Sequence, residues 1–357
     1  MPLSTSNSDT RLPAAPYHRV GFWVVLLVIF FLSLSEIHWR NEGFLPTIVD
    51  TKLLWSEHRH RAYTEHNRKK LVIVGTSRAQ LGIDPVTLGT DFTEFDIVHL
   101  AIDGALPFEV IKDLCEDPKF DGVILADVTV PFLCVTDTMA KRKELNYISY
   151  YHNTFQSGAA LEKRLNARVG ASLQSKYALF SPALSFKSLL YDRFKPKWLY
   201  FHMHANRFRP AFYNDRMSAD ERLKHRQKRI HQITQNEIAQ VDPTQFEKIA
   251  REDLSALYNT LRKKGGAMVL VRMPTTSEHW QIDELTAPKT QYWDQLETIS
   301  GIPTVHFKDY NELAEFDCPD TSHLDARDVP EFTRRLSNIV RQKLNKTFDM
   351  THNGQTP

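Results

Sequence analysis

Cysteine is scarce in this chain: three residues in 357, Cys115, Cys134 and Cys318. They cannot build a disulfide framework, although one bridge is compatible with an oxidising compartment. No Cys-x-x-Cys pair occurs, which argues against a structural zinc site. A second long apolar run is missing, which argues against a polytopic membrane protein. The segment Gly75-Thr-Ser-Arg-Ala-Gln-Leu-Gly82 lacks the glycine spacing of a dinucleotide fingerprint. Charge imbalance is slight too, with a net +2 that says little about partners. What remains is globular composition, 42% hydrophobic and 25% charged, sufficient for a sizeable core in one large domain or two modest ones.

One apolar run is present. Residues 20–35 carry no charge, with Arg11, His18 and Arg19 before them and Glu36 and Arg40 after. A spanning helix needs roughly 17–25 apolar residues. Sixteen become enough when Tyr17 and Trp39 sit at the interfaces and Arg19 snorkels, so 17–39 reads as a single transmembrane anchor. The upstream basic residues favour a cytoplasmic N-terminus and place the rest of the chain outside, in a periplasmic or other extracytoplasmic space. A cleaved signal peptide is the rival reading, with Ser33-Leu34-Ser35 as its small-x-small site. The absence of alanine there and the aromatic core favour the uncleaved anchor.

Residues 1–16 are rich in Ser, Thr and Pro and read as a disordered tail. Residues 40–70, with Glu57-His58-Arg59-His60-Arg61 and Arg68-Lys69-Lys70, read as a polar juxtamembrane linker with a solvated charged face. From 71 to 345 short apolar runs alternate with helical stretches. Leu71–Val74, Ile97–Leu100, Gly122–Ala126, Ala267–Val271 and Thr304–Phe307 are the expected strands. Helices are expected over Pro107–Cys115, over Phe246–Lys264 with Gly265-Gly266 as its stop, and over Leu336–Leu344. Asp328 and Glu331 have the spacing of a capping box, and 346–357 reads as a second tail. The alternation predicts an α/β domain with a parallel sheet and helices on both faces. Residues 131–245 break the rhythm as an aromatic, basic insert. Its 141–230 stretch holds 19 Lys and Arg against 6 Asp and Glu, so the remainder of the chain is net acidic.

In a parallel sheet, ligands bind beyond the carboxyl ends of the strands. Those ends deliver Ser77 and Arg78, then Asp103 and Gly104, then Asp127 and Thr129, then Arg272, and finally the loop carrying Asp320 and His323. A serine on a strand-end turn suits a nucleophile, and an Asp three residues before a His can orient the imidazole as its base. Ser77, His323 and Asp320 therefore read as nucleophile, base and orienting acid of an acyl-transfer enzyme. The Ser77 and Gly104 N–H groups are the candidate oxyanion donors, glycine allowing close approach of substrate. Arg78, Asp127 and Arg272 are candidate substrate contacts, or the two arginines pair with Asp103 and Asp127. Singly, each residue has a plainer explanation as a helix cap or surface pair. The conjunction at strand ends, in the order Ser, Asp, His, favours catalysis.

These blocks resemble the SGNH (GDSL-like) hydrolase superfamily. Gly75-Thr76-Ser77-Arg78 is similar to its nucleophile block, His99-Leu100-Ala101-Ile102-Asp103-Gly104-Ala105 to its oxyanion-glycine block, and Asp320-Thr321-Ser322-His323 to its Asp-x-x-His block. The similarity covers 71–130 and 265–345. It implies a flavodoxin-like three-layer sandwich and a serine hydrolase or acyltransferase without cofactor or metal. An α/β-hydrolase is disfavoured, since that fold presents Gly-x-Ser-x-Gly and separates its Asp from its His. One departure stands out: the family's oxyanion asparagine, in Gly-x-Asn-Asp, is replaced by Ala126-Asp127-Val128-Thr129. Membrane-anchored relatives that move acyl groups on envelope polysaccharide share the anchor and the exported domain. The resemblance thus implies an acylated polysaccharide or other ester substrate and envelope-biosynthesis partners.

Other features carry less. His202-Met203-His204 lacks a nearby third metal ligand. The basic insert suits an anionic glycan or lipid headgroups as well as an ordinary packed lid, and an exported location argues against nucleic acid. The competing function is a catalytically idle scaffold of the same fold that binds glycan or an assembly partner, and the missing asparagine speaks for it.

Overall fold

A computed structural model describes residues 17–63, 68–134, 139–157, 160–191, 196, 199–235 and 240–353. The 1–16 tail lies outside the described residues, as do Phe194 and Trp198 of the aromatic insert.

The domain is α/β, built on five parallel strands, β1 (Lys70–Val74), β2 (Asp96–His99), β3 (Val123–Asp127), β4 (Ala267–Arg272) and β5 (Thr304–His306), in the order β2-β1-β3-β4-β5. All five lie within a residue or two of the expected runs. β1, β3 and β4 are buried along their whole length, which explains why they read as continuous apolar runs instead of alternating ones. Side-chain alternation still sorts them. Val72, Val74, Ile124 and Leu270 face helices Phe108–Glu116, Ser255–Lys263 and Trp293–Ser300, while Leu71, Ile73, Leu125 and Val269 face Pro85–Asp91 and the C-terminal helix.

Helix ends depart from expectation in instructive ways. The helix expected over Phe246–Lys264 is three joined segments, Pro243–Lys248, a π-helical stretch Ile249–Leu254, and Ser255–Lys263. The wider turn keeps Ala250 and Leu254 on the buried face ahead of Leu257 and Leu261. The glycine stop is present: Gly265 sits at φ +80, and the Gly266 N–H donates to Leu261 O at 3.1 Å. The last helix runs Val329–Asn353, well into the stretch read as a tail. The capping box does not form, because the Asp328 N–H donates to Asp325 O and the Glu331 carboxylate is taken by Arg334 and Arg335.

The stretch read as a solvated linker is part of the core. Its helix Lys52–Arg61 buries Leu54, Trp55, Glu57, His58 and Arg59. The Trp55 indole donates to Leu100 O at 3.0 Å, beside the end of β2. Arg59 is fully buried yet pairs with Asp113 at 2.7 Å and Asp117 at 2.8 Å and stacks on Tyr63 and Tyr151. A charge run signals a solvated face only when no counter-charges are folded against it. Here two carboxylates on the far side of the sequence offset the desolvation. The three cysteines are free thiols.

The N-terminal helix Tyr17–Asn41 has a mean hydropathy of 2.4 over its apolar window, and none of that window is buried. It is long and apolar enough to cross a membrane, by the same length and composition that a signal sequence would show. The insert is largely helical, with Met139–Tyr150, Ala160–Lys176 and Ala219–Gln235 as its longest helices.

Candidate active site

β1 ends at Val74, and three residues later the chain enters a short helix, Ser77–Gly82. The turn is tight. A Cβ on Gly75 would lie 2.8 Å from both Ala79 Cβ and Asp127 Cβ, so only glycine lets the strand turn this closely over β3. Thr76 caps the helix, accepting from the Arg78 N–H at 3.2 Å and donating to Asp127 Oδ2 at 3.0 Å. Ser77 is therefore the first helical residue, its N–H among those that lack an intrahelical acceptor.

His323 reaches this serine from a loop just before the C-terminal helix. Its Nε2 lies 2.8 Å from Ser77 Oγ, and its Nδ1 lies 2.7 Å from Asp320 Oδ2. The other carboxylate oxygen, Oδ1, accepts the N–H groups of Ser322 (3.0 Å) and His323 (2.8 Å). That closure bends the loop so tightly that Thr321 takes φ +76, a left-handed conformation that is strained for a β-branched residue. Bonds from Thr321 N–H to Cys318 O (2.7 Å) and from Thr276 N–H to Thr321 O (2.9 Å) hold it there. Ser77, His323 and Asp320 thus form one hydrogen-bonded chain across 246 residues of sequence.

Electrostatics fit the geometry. Asp320 is 1% exposed, and burial alone would raise its pKa. The His323 ring, Arg229 and the Ser322 N–H outweigh that and hold the carboxyl well below the usual carboxylate range. Burial pulls His323 the other way, below its ordinary value, against the opposing pull of Asp320. The imidazole is therefore neutral at pH 7, with Nε2 free to accept the Ser77 proton.

The candidate oxyanion glycine, Gly104, lies in the turn after β2, where the Ala105 N–H bonds Ile102 O and Gly104 takes φ +64. The Ile102 N–H donates to Gly75 O at 3.0 Å, tying this turn to the nucleophile turn. Asp103, one residue earlier, is close enough to His323 for the ring to help lower its pKa, after burial, which opposes, and Arg209, the largest lowering influence.

The proposed substrate contacts are turned inward. Asp127 is fully buried and accepts from Thr76. Arg272 is held by Asp283 and Thr275. Arg78 is buried between Thr129 Oγ1 (2.8 Å) and His279 Nε2 (3.1 Å), and burial with Arg272 nearby lowers its pKa to about 10. Neither arginine pairs with Asp103, which takes Arg209 at 2.8 Å instead. All three are buried beside the nucleophile turn, and Arg78 Nε and Asp127 Oδ1 have no hydrogen-bond partner among the described residues. In the Ala126-Asp127-Val128-Thr129 segment, Val128 is fully buried and has no hydrogen-bonding side chain, and Thr129 spends its hydroxyl oxygen on Arg78.

Sequence reasoning missed several residues here. Tyr213, in the insert, donates its hydroxyl to Asp320 Oδ2 at 2.9 Å. Arg229 Nε and His225 Nε2, on the insert helix Ala219–Gln235, lie 3.7 and 3.9 Å from the same oxygen. His279 bridges Arg78 and Thr321 Oγ1 (3.4 Å), joining the nucleophile turn to the base loop, and its pKa is lowered to about 3 by burial and by Arg78. None of these sits in a motif. The local excess of positive charge in the insert was the only signal, and it did not specify a target. His202 and His204 pack on Phe212 and Phe208.

Comparison with protein-family models, with curated proteins and with solved structures finds no match to this chain.

Proposed function

We propose that this chain is a membrane-anchored serine esterase or O-acyltransferase of SGNH-like architecture. In this reading it acts outside the cytoplasm on acyl groups, acetyl above all, of cell-surface polysaccharide. The observation that carries the reading is the Ser77–His323–Asp320 chain, at 2.8 and 2.7 Å, with a buried ionised carboxylate and a neutral imidazole. The strand order β2-β1-β3-β4-β5 supports a flavodoxin-like three-layer sandwich, with the site beyond the carboxyl ends of the strands.

Ser77 Oγ attacks the ester carbonyl as His323 Nε2 takes its proton, and Asp320 stabilises the resulting imidazolium. The carbonyl oxygen becomes an anion that the Ser77 and Gly104 N–H groups receive. The C–O bond to the leaving alcohol then breaks, the alcohol departs with the proton from His323, and an acyl-serine remains. Water or a sugar hydroxyl, deprotonated by His323, attacks the acyl carbon and frees Ser77. The first acceptor makes an esterase and the second a transferase.

Fluorophosphonate labelling of the full chain tests this, alongside Ser77→Ala and His323→Ala and turnover of p-nitrophenyl acetate. Labelling and turnover that vanish in both variants support the triad. A folded wild-type chain that neither labels nor turns over refutes it and favours a glycan- or partner-binding scaffold, the reading that the missing asparagine favours.

A further inference from the structure

The insert helix Ala160–Lys176 packs on the Lys52–Arg61 helix through Ala167 and Ala171, and two of its basic residues reach back to that helix: Arg164 bonds His60 at 3.2 Å and Arg168, itself largely exposed, bonds Glu57 at 2.6 Å. Its large apolar residues face out. Leu161, Leu165, Val169 and Leu173 recur every fourth position, so they form a stripe about 18 Å long. Beyond the helix, Phe180 and Phe186 are exposed as well. Exposure across these six runs from 41% at Leu173 to 73% at Phe186. Soluble surfaces seldom gather so many large apolar side chains in one region.

The position of the stripe identifies what covers it. Its C-terminal end is joined to the last turns of the apolar N-terminal helix. The Glu36 carboxylate accepts the N–H groups of Ala178 (2.9 Å) and Leu179 (3.0 Å), and Arg40 donates to Lys176 O at 2.5 Å. Trp39 and Phe44 pack with Ala178 and Leu184 at the same place. A bilayer holding the N-terminal helix therefore has its surface at this junction. Charge agrees: residues 160–190 contain Lys163, Arg164, Arg168, Lys176 and Lys187 against Glu162 alone. Basic residues beside an apolar face are the composition of helices that lie in an anionic membrane interface.

We propose that the Leu161–Leu173 stripe, with Phe180 and Phe186, is a second membrane contact that lies in the interface of an anionic phospholipid bilayer beside the anchor. The apolar side chains exchange water for the headgroup–acyl boundary, sinking roughly 5–10 Å into it. The contact goes beyond the catalytic reading and does not depend on it. It rests on the N-terminal helix being in the bilayer.

The test uses full-length protein in nanodiscs of phosphatidylcholine and phosphatidylglycerol. Single cysteines at Leu165→Cys, Phe180→Cys, Ile29→Cys and Arg334→Cys, in a Cys134→Ser background, carry an environment-sensitive fluorophore. Lipids bearing a shallow or a deep nitroxide serve as quenchers. The expected result is blue-shifted emission at 165 and 180, quenched at least twofold more than at 334 and best by the shallow nitroxide, with 29 quenched best by the deep one. Quenching at 29 with 165 and 180 resembling 334 overturns the contact while leaving the anchor. A blue shift at 165 and 180 without lipid quenching means that protein covers the stripe, and overturns it too. Absence of quenching at 29 removes anchor and contact together.

Discussion

Asp320→Asn alters one atom of the site, and its consequence follows from hydrogen-bond direction alone. In the native loop, Oδ1 accepts two backbone N–H groups, and Oδ2 accepts from His323 Nδ1 and the Tyr213 hydroxyl. Backbone N–H groups only donate, so an asparagine keeps its oxygen on them and puts its NH2 where Oδ2 stood. That nitrogen donates, which forces His323 Nδ1 to accept and moves the ring proton to Nε2, facing Ser77. The base is lost without displacement of a heavy atom. In Ser-His-Asp triads this exchange costs roughly ten-thousandfold in kcat, or about 5 kcal/mol of transition-state stabilisation. The two backbone bonds persist and the Tyr213 hydroxyl can turn to accept, so the fold should survive with a Tm within a few degrees of wild type. The assay is kcat/KM on p-nitrophenyl acetate with the rate of fluorophosphonate labelling, next to a thermal melt. A variant that keeps more than a tenth of wild-type activity at an unchanged Tm would falsify the assignment of His323 as a base oriented by Asp320.

His323 must be neutral to accept the serine proton, and burial lowers its pKa, so kcat/KM should climb with pH through a limb below about 6.5 and be flat from pH 7 to 8. Arg229 also lowers it, so Arg229→Gln should move that limb to higher pH, and an unmoved limb removes Arg229 from the site's electrostatics. Trp55→Ala should cost about 3–5 kcal/mol, a Tm drop on the order of 10 °C, whereas a solvated linker would register almost nothing in a melt. Burial raises Glu144 to about 8 in the fold, against about 4.3 in an unfolded chain. The folded state thus holds the extra proton between those values, and this contribution to stability falls as pH rises through that window. Melts from pH 5 to 9 should show Glu144→Gln losing part of that decline and exceeding wild type at pH 9; parallel curves would count against a strained carboxyl there.

The strands were legible because each is a short apolar run between turn residues, and burial on both faces leaves no polar alternation to confuse it. The Ser77 turn and the Asp-x-x-His loop were legible for a related reason. Their chemistry is local, needing only a glycine before the serine and a three-residue spacing. Arg59 was misread because its partners, Asp113 and Asp117, are more than fifty residues away, and a one-dimensional charge pattern cannot distinguish a solvated cation from a buried pair. Tyr213, His225 and Arg229 were invisible on the same grounds, since they meet Asp320 only through the fold of the insert. For Arg78 and Arg272 the sequence offered either a substrate group or Asp103 and Asp127 as partners, and could not point to Thr129, His279 and Asp283, which the fold brings to them.

Residues 47–50, just past the N-terminal helix, are bonded into the fold. Ile48 and Thr47 bond Met203, Val49 bonds Gln174, and Asp50 clasps Arg207, which in turn holds the carbonyls of His99 and Ala101 after β2. Nine residues after the helix ends, the backbone is already stitched to the strand edge that carries Asp103 and Gly104. With that helix in a bilayer, Ser77 works at one fixed altitude, as on a post and not a leash. In the acyl-transfer reading, donors and acceptors then meet it at a constant distance from the membrane.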